Sequence, residues 1–279
     1  MSQTNRLLFG HTAVVTGGAS GMGAAIAIRL ASLGANVAIG SLLTKDAGGP
    51  SVIAHYPHRN DLDRVRDEIK THQVSVFADE IDVAHEQSVD SFCSAAESAL
   101  GPVTVLVTAA GISIEHGLSE HPWDAWGKVM RVNLDGTALC IRRLLPNMLK
   151  ARRGRIVTIA STAASVGASR SSAYCASKAG VVALSRCVAL EGAAYGITCN
   201  SISPSWVNTD LAKLWMKECA ANEGLEGGSA AYRAAAERQN PQGRLIQPNE
   251  IAALAAFLCS EEAAGITGQD IVISGGSLW

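Results

Sequence analysis

The sequence predicts an α/β fold: a Rossmann-type, doubly wound parallel sheet of about seven strands, helices on both faces, in three αβα layers. Three observations predict it. Short apolar runs alternate with longer amphipathic segments along nearly the whole chain. The runs are apolar almost without a break, as strands covered on both faces must be. The first run opens directly into a glycine-rich turn and then a helix, the start of a dinucleotide-binding βαβ unit. The 279 residues are 48% hydrophobic, enough to build a core without disulfide or metal staples, so one domain over 1–279 is expected.

In chain order, strands are expected at 12–16, 36–39, 74–77, 103–107, 155–159, 197–202 and 271–273. Helices are expected near 21–33, 61–72, 86–100, 122–151, 172–195 and 248–260. Two segments break the rhythm. Residues 42–60 form a Gly/Pro/His-rich insertion after the second strand, and 205–247 a long polar, Ala-rich stretch before the last helix. Both begin where strands end, on the side where open α/β sheets bind ligands, so 205–247 is read as the substrate-loop region.

Composition narrows the function. A formal net charge of −2 with no long basic stripe argues against nucleic acid. No apolar run reaches the roughly 18 residues of a membrane span, and the N-terminus lacks a signal-peptide pattern. Seven scattered cysteines without a C-x-x-C suit free thiols in a reducing cytoplasm. No G-x-S-x-G occurs and all seven histidines lie between 11 and 121, which disfavours a serine hydrolase. His55 and His58 lack the partners of a metal site, and no metal is expected.

The turn reads Gly17-Gly18-Ala19-Ser20-Gly21-Met22-Gly23. Gly17 allows the tight turn, Gly21 lets backbone approach a pyrophosphate, and Gly23 lets the helix pack on the strand. The helix N-terminus then offers N–H groups and a positive dipole end to phosphates. At the end of the second strand an acid would bind the ribose diol of NAD. Ser41 stands there instead and can donate to a 2′-phosphate, with Lys45 four residues on, so NADP(H) is favoured and NAD(H) is the alternative.

Tyr174 and Lys178, at i and i+4 in a helical stretch, share one helix face. A nearby ammonium favours the phenolate, so Tyr174 could exchange protons near neutral pH. Ser161 ends the fifth strand, thirteen residues before Tyr174, where a hydroxyl can polarise a carbonyl oxygen. Trp206, Leu211, Leu214 and Trp215 offer an apolar wall for substrate, although the helix face could equally pack on the body. His116 could touch substrate or sit on the surface, and Trp123 and Trp126 are expected to anchor the next helix.

With T-G-x-x-x-G-x-G after the first strand and Tyr-x-x-x-Lys after the fifth, the chain resembles the short-chain dehydrogenase/reductase (SDR) family from about Leu8 to its end. The resemblance implies a tetrad of Asn133, Ser161, Tyr174 and Lys178. Asn133 would support a water relay, and Lys178 would also hold the nicotinamide ribose. It implies that Asp82 and Val83 meet the adenine. Thr108-Ala109-Ala110-Gly111 stands where the family reads Asn-Asn-Ala-Gly, so Ala109 and Gly111 contribute backbone. Pro204, Val207 and Thr209 would hold the carboxamide, with Ser205 in place of a glycine. The function implied is hydride transfer between a nicotinamide dinucleotide and a small or medium alcohol or ketone, in a homotetramer built on the long helices. A 3-oxoacyl-[acyl-carrier-protein] reductase is the rival within the family, with Lys150, Arg152, Arg153 and Arg155 as docking cations or simply dipole partners of a helix end. A non-catalytic dinucleotide sensor is the rival from another class, but it has no use for Tyr174 and Lys178.

Overall fold

The computed structural model describes residues 6–44 and 56–277. Strands β1 (Thr12–Thr16), β2 (Asn36–Ser41), β3 (Val76–Glu80), β4 (Val105–Thr108), β5 (Gly154–Ile159), β6 (Ile197–Pro204) and β7 (Asp270–Ile273) form one sheet. All pairings are parallel, in the order β3-β2-β1-β4-β5-β6-β7. The chain builds outward from β1 to β3, then returns to place β4 on the other side of β1. That reversal opens a crevice at the carboxyl ends of β1 and β4.

Alternate strand residues point to opposite faces. Val15, Ile39, Val107 and Val157 pack under α1 (Gly21–Ser32), α2 (Arg59–Lys70) and α9 (Pro248–Leu258), with Ile26, Leu30, Leu62 and Ile251 fully buried among them. Val14, Ala38, Leu106 and Ile156 pack under α3 (Glu86–Leu100), α5 (Gly136–Ala151) and α6 (Ser172–Gly192), against Phe92, Leu144 and Met148. Each such aliphatic side chain contributes roughly 1.5–3 kcal/mol by leaving water. With its extension to Tyr195, α6 is the one helix among the described residues long and apolar enough to cross a membrane. Here it is a core helix, with Val181, Val182, Val188 and Ala189 buried.

Several boundaries shift by two or three residues, β4 and α2 among them, and three departures from the sequence reading bear on the site or have a visible cause. β3 starts two residues late, because Gln73 takes a positive φ of 60° and the Ser75 N–H bonds the Asn36 side chain rather than the ladder. The helix expected over 122–151 is broken into α4 (Trp123–Met130), a π-helical turn Arg131–Asp135, and α5. The stretch 205–247 is largely helical: α7 (Asp210–Asn222) and α8 (Gly228–Gln239). Thr209 caps α7, its hydroxyl accepting from the Ala212 N–H at 3.2 Å, and Asp210 sits in the first turn. Thr-Asp before an apolar face was a helix-start signal in plain sight.

Candidate active site

Two cavities open at the carboxyl edge of the sheet. The first, about 380 Å³, runs over the glycine turn between β1, β2 and β4. Its floor is backbone. A Cβ on Gly23 would lie 2.2 Å from the Gly17 carbonyl oxygen, and one on Gly17 would lie 2.8 Å from the Ala110 nitrogen. Gly17 also holds φ at +67°, and Gly21 at +53°. Ser20 stands at the N-cap of α1 without using its side chain to cap, so the N–H groups of the first turn are left for a ligand. Narrow glycine floor, open helix N-terminus and cleft shape fit a dinucleotide diphosphate.

The expected cleft residues Gly17, Ser20, Gly21, Met22, Gly23, Ser41, Asp82, Val83, Ala109, Gly111 and Thr209 all line this cavity. Ser41 is buried, and its hydroxyl accepts from the Ala19 N–H at 3.1 Å. Its own proton has no acceptor among the described residues. Asp82 is tied to its own turn: one oxygen accepts from the Ala84 N–H at 2.9 Å and the other pairs with His85 Nδ1 at 2.8 Å. Thr108, where the family carries Asn, leaves its buried hydroxyl without a hydrogen bond among the described residues. Lys45 lies outside the described residues, as does the insertion over 45–55. Tyr56 and Pro57, just after it, line the cleft, and Lys128 Nζ sits 5.8 Å over the Tyr56 ring. Lys128 and Arg131 bring two cations to this cleft. Sequence reasoning passed over them because nothing local marks a helical Lys or Arg as facing a crevice.

The second cavity, about 280 Å³, lies beyond β5 and β6 under α7 and α8. Met22, Thr209 and Leu211 line both cavities and mark where they meet. Ser161, Tyr174, Trp206 and Trp215 line the second, and so do Pro204 and Val207, expected at the carboxamide. Leu211 shares this wall, while Leu214 on the same helix is turned outward and 39% exposed. His116 is not part of either lining; its ring meets His121 edge-on at 5.2 Å. Trp123 is no anchor: it is 75% exposed and stacks on Trp126 at 5.7 Å.

Behind Tyr174 the groups interlock. Asn133, buried in the π turn, accepts from the Ile112 N–H and donates to the Ile112 carbonyl, both at 2.9 Å. It also donates to Ser177 Oγ at 3.0 Å. This side chain fastens the π turn to the loop after β4 and to α6, one turn from Tyr174. Lys178 is buried, donates to the Ile159 carbonyl at 2.8 Å, and lies 5.6 Å from the Tyr174 ring centre. Burial pulls its pKa down to about 8. Burial likewise pushes Tyr174 up to about 12, while a hydrogen bond from Ser161 acts the other way. The expected phenolate is therefore not a property of the protein alone. The ammonium is directed at the Ile159 carbonyl, and desolvation is the largest influence on the phenol.

Glu115 is the buried group sequence reasoning missed. Its carboxyl accepts from the hydroxyls of Ser113, at 2.6 Å, and Ser171. Ser171 is the N-cap residue of α6, and the His116 N–H bonds the Arg170 carbonyl at 2.9 Å. The loop after β4 is thus clamped to the start of the helix that carries Tyr174. Burial raises the Glu115 pKa, the two hydroxyls opposing it. A lone Glu in a loop carries no sequence signal for this role.

Of the basic cluster, Lys150 is exposed and the three arginines bond to other parts of the fold. Arg155 is buried, donates to the Gly196 carbonyl at 3.0 Å and pairs with Glu261 at 2.7 Å. Arg153 donates to His11 Nε2 at 2.8 Å, and Arg152 to the Ala194 carbonyl at 2.7 Å. All three sit at the start of β5, at the edge of the sheet opposite the cavities.

Known proteins share this architecture. A family model described as enoyl-(acyl carrier protein) reductase matches residues 43–277. D-threitol dehydrogenase of Mycolicibacterium smegmatis is 37% identical over 270 residues, 96% of this chain and 93% of that protein. D-beta-hydroxybutyrate dehydrogenase of Cupriavidus necator is 32% identical over 272 residues, 97% of this chain and 98% of that protein. Among solved structures, an actinorhodin polyketide ketoreductase variant with NADPH superposes with a TM-score of 0.86 at 30% identity, over 96% of this chain and 97% of its own. The sheet order and these end-to-end likenesses agree on one conclusion: the chain belongs to the short-chain dehydrogenase/reductase family, as an NAD(P)-dependent oxidoreductase that acts on alcohol and ketone groups.

Proposed function

We propose that Asn133, Ser161, Tyr174 and Lys178 form the reaction centre, with Tyr174 giving or taking the proton at its phenolic oxygen. The observation that carries this reading is the placement of Tyr174. It lines the substrate-side cavity together with Ser161, whose hydroxyl favours its ionised form, and has the buried Lys178 ammonium against its ring. When bound, the nicotinamide supplies or accepts the hydride and, oxidised, brings a positive charge. Ser161 steadies the substrate oxygen. Lys178 adds positive charge beside the phenol and holds the ribose. Asn133 positions the π turn and α6, and with them the relay to Lys178.

In this reading the domain is single, spanning 1–279. The glycine turn, Asp82, Val83, Ala109 and Gly111 hold the adenosine and diphosphate, and Pro204, Val207 and Thr209 the carboxamide. The cofactor is NADP(H) rather than NAD(H). Supporting it are the absence of an acid at the end of β2, the spare Ser41 proton, and two cations in the cleft. The substrate is a small or medium alcohol or ketone. The partly exposed leucines Leu139, Leu145, Leu149 and Leu184 on α5 and α6 support a homotetramer built on those helices. Seven free thiols, four of them buried, suit a cytoplasmic enzyme.

Tyr174→Phe removes the proton donor and leaves the cleft intact. We expect turnover to fall by roughly 10²–10⁴-fold, with cofactor affinity within twofold of the parent by fluorescence titration. Turnover near the parent's rate would remove Tyr174 from the chemistry.

A further inference from the structure

We infer that the substrate pair is an uncharged cyclic secondary alcohol and its ketone, of one or two rings, and not a hydroxy or oxo acid. This rests on the proposed reaction centre and names what it acts on.

The inference comes from how polarity is distributed around the second cavity. Among the described residues that line it, none carries a charge. Three of the polar side chains away from Ser161 and Tyr174 are bonded within the fold. Asn240 donates to the Arg244 carbonyl at 2.7 Å and accepts from the Gln242 N–H at 2.9 Å. Ser277 donates to the Ser274 carbonyl at 2.8 Å, and Thr209 caps α7. Ser161 and Tyr174 form the paired hydroxyl site for a substrate oxygen. Thr162 and Gln239 add neutral polar atoms to a wall that is otherwise mostly apolar or aromatic.

The aromatic part is continuous. Tyr174 meets Trp215 edge-on at 4.9 Å and Trp215 meets Trp206 at 5.3 Å, while Tyr232, outside the lining, backs Trp206 at 6.1 Å. These rings hold one another at 69–80° and present rigid walls that a compact ring fills better than a mobile chain. At about 280 Å³ the space sits at the small end of the roughly 300–1,000 Å³ of small-molecule sites.

Among the described residues, a carboxylate would find no cation on the lining of this cavity, and Lys178, behind Tyr174, is bonded to the Ile159 carbonyl. Arg233 pairs with Glu237, Arg244 with Glu250, and Lys213 with Asp210. Burying an anion without a partner is costly, so the lining selects against it.

The test uses a matched pair, 4-ethylcyclohexanone and 4-oxocyclohexanecarboxylate, which differ in charge on the same ring. Reduction is followed at saturating NADPH, and again with NADH. Binding is followed separately, in Tyr174→Phe, as quenching of tryptophan fluorescence. We expect kcat/KM for the neutral ketone to exceed that for the acid by at least 100-fold, with the same order in binding. Gln239→Arg, an exposed position on the cavity rim, should raise the acid's kcat/KM at least tenfold. Equal or better handling of the acid by the parent enzyme, in turnover or in binding, overturns the inference and leaves the reaction centre standing. Binding of the neutral ketone without turnover, with either cofactor, counts against the reaction centre and upholds the cavity's selectivity. Neither binding nor turnover of the neutral ketone overturns the substrate class.

Discussion

The two cavities are built by opposite means. The dinucleotide cleft is mostly backbone: glycines, strand ends and a helix N-terminus, fixed by the sheet. The substrate cavity is mostly side chains, carried on α7 and α8, which lie outside the sheet. A backbone surface has no rotamers with which to adjust, so it reads one ligand shape and tolerates little. A side-chain surface can be repacked by substitution, so one scaffold serves many alcohols and ketones. The relatives fit this: threitol and hydroxybutyrate dehydrogenases keep end-to-end similarity to this chain under different printed substrates.

The most severe way to break that contrast is Gly23→Ala. The added Cβ would stand 2.2 Å from the Gly17 carbonyl oxygen, and neither α1 nor the turn has a side chain that can move aside. Cofactor affinity should fall at least 100-fold, about 2.8 kcal/mol, with melting lowered as well. Titration with NADPH and a circular-dichroism melt measure both. Near-parent affinity in a folded variant would mean the turn adapts, and the contrast between the cavities would lose its basis.

Ser41→Asp sharpens the comparison, because it changes charge in the cleft and leaves the floor alone. Ser41 is buried and its hydroxyl already accepts from the Ala19 N–H, a bond a carboxylate can accept equally. The parent should bind NADPH more tightly than NADH. The variant should weaken NADPH at least tenfold through like-charge repulsion, while NADH stays within threefold. Tighter NADH binding by the parent would show that the cleft reads the ribose diol by groups other than Ser41, and would make NAD(H) the cofactor.

The same contrast explains what the sequence made legible. β1, α1 and the glycine turn follow from local rules: an apolar run, then glycines at the positions where a Cβ would collide. The i, i+4 spacing of Tyr174 and Lys178 is likewise local. The π turn around Asn133 is not, because its cause is a bond to Ile112, 21 residues away. Glu115 is invisible for the same reason: its partner Ser171 is 56 residues distant. The helix start at Thr209-Asp210 was local, but the polar, Ala-rich run after it has a weak apolar stripe and reads as loop. The elevated pKa of Tyr174 depends on how completely the tertiary fold excludes water, which no spacing encodes.

The smallest effect is expected at the edge of the sheet opposite both cavities. His11 is 2% exposed, accepts from Arg153 at Nε2 and faces Thr104 Oγ1 at 3.0 Å through Nδ1. Burial, then the Arg153 charge, lowers its pKa from 6.5 to about 4. Between those values the unfolded chain binds a proton that the folded chain refuses. Stability from this group is therefore complete above pH 6.5 and declines as pH falls toward 4. Between pH 7 and pH 5 the melting temperature should drop by about 4 °C from this source. Glu115, whose pKa is raised by burial, acts in the opposite sense, so the comparison is made against His11→Gln. That variant keeps an acceptor for Arg153 and should lose the drop, whatever its melting temperature at pH 7. NADPH affinity should not follow the His11 titration, because the group lies at the amino edge and the cleft at the carboxyl edge. A drop of equal size in His11→Gln would place the acid sensitivity elsewhere, and an affinity that tracked it would mean the two edges of the sheet are energetically coupled.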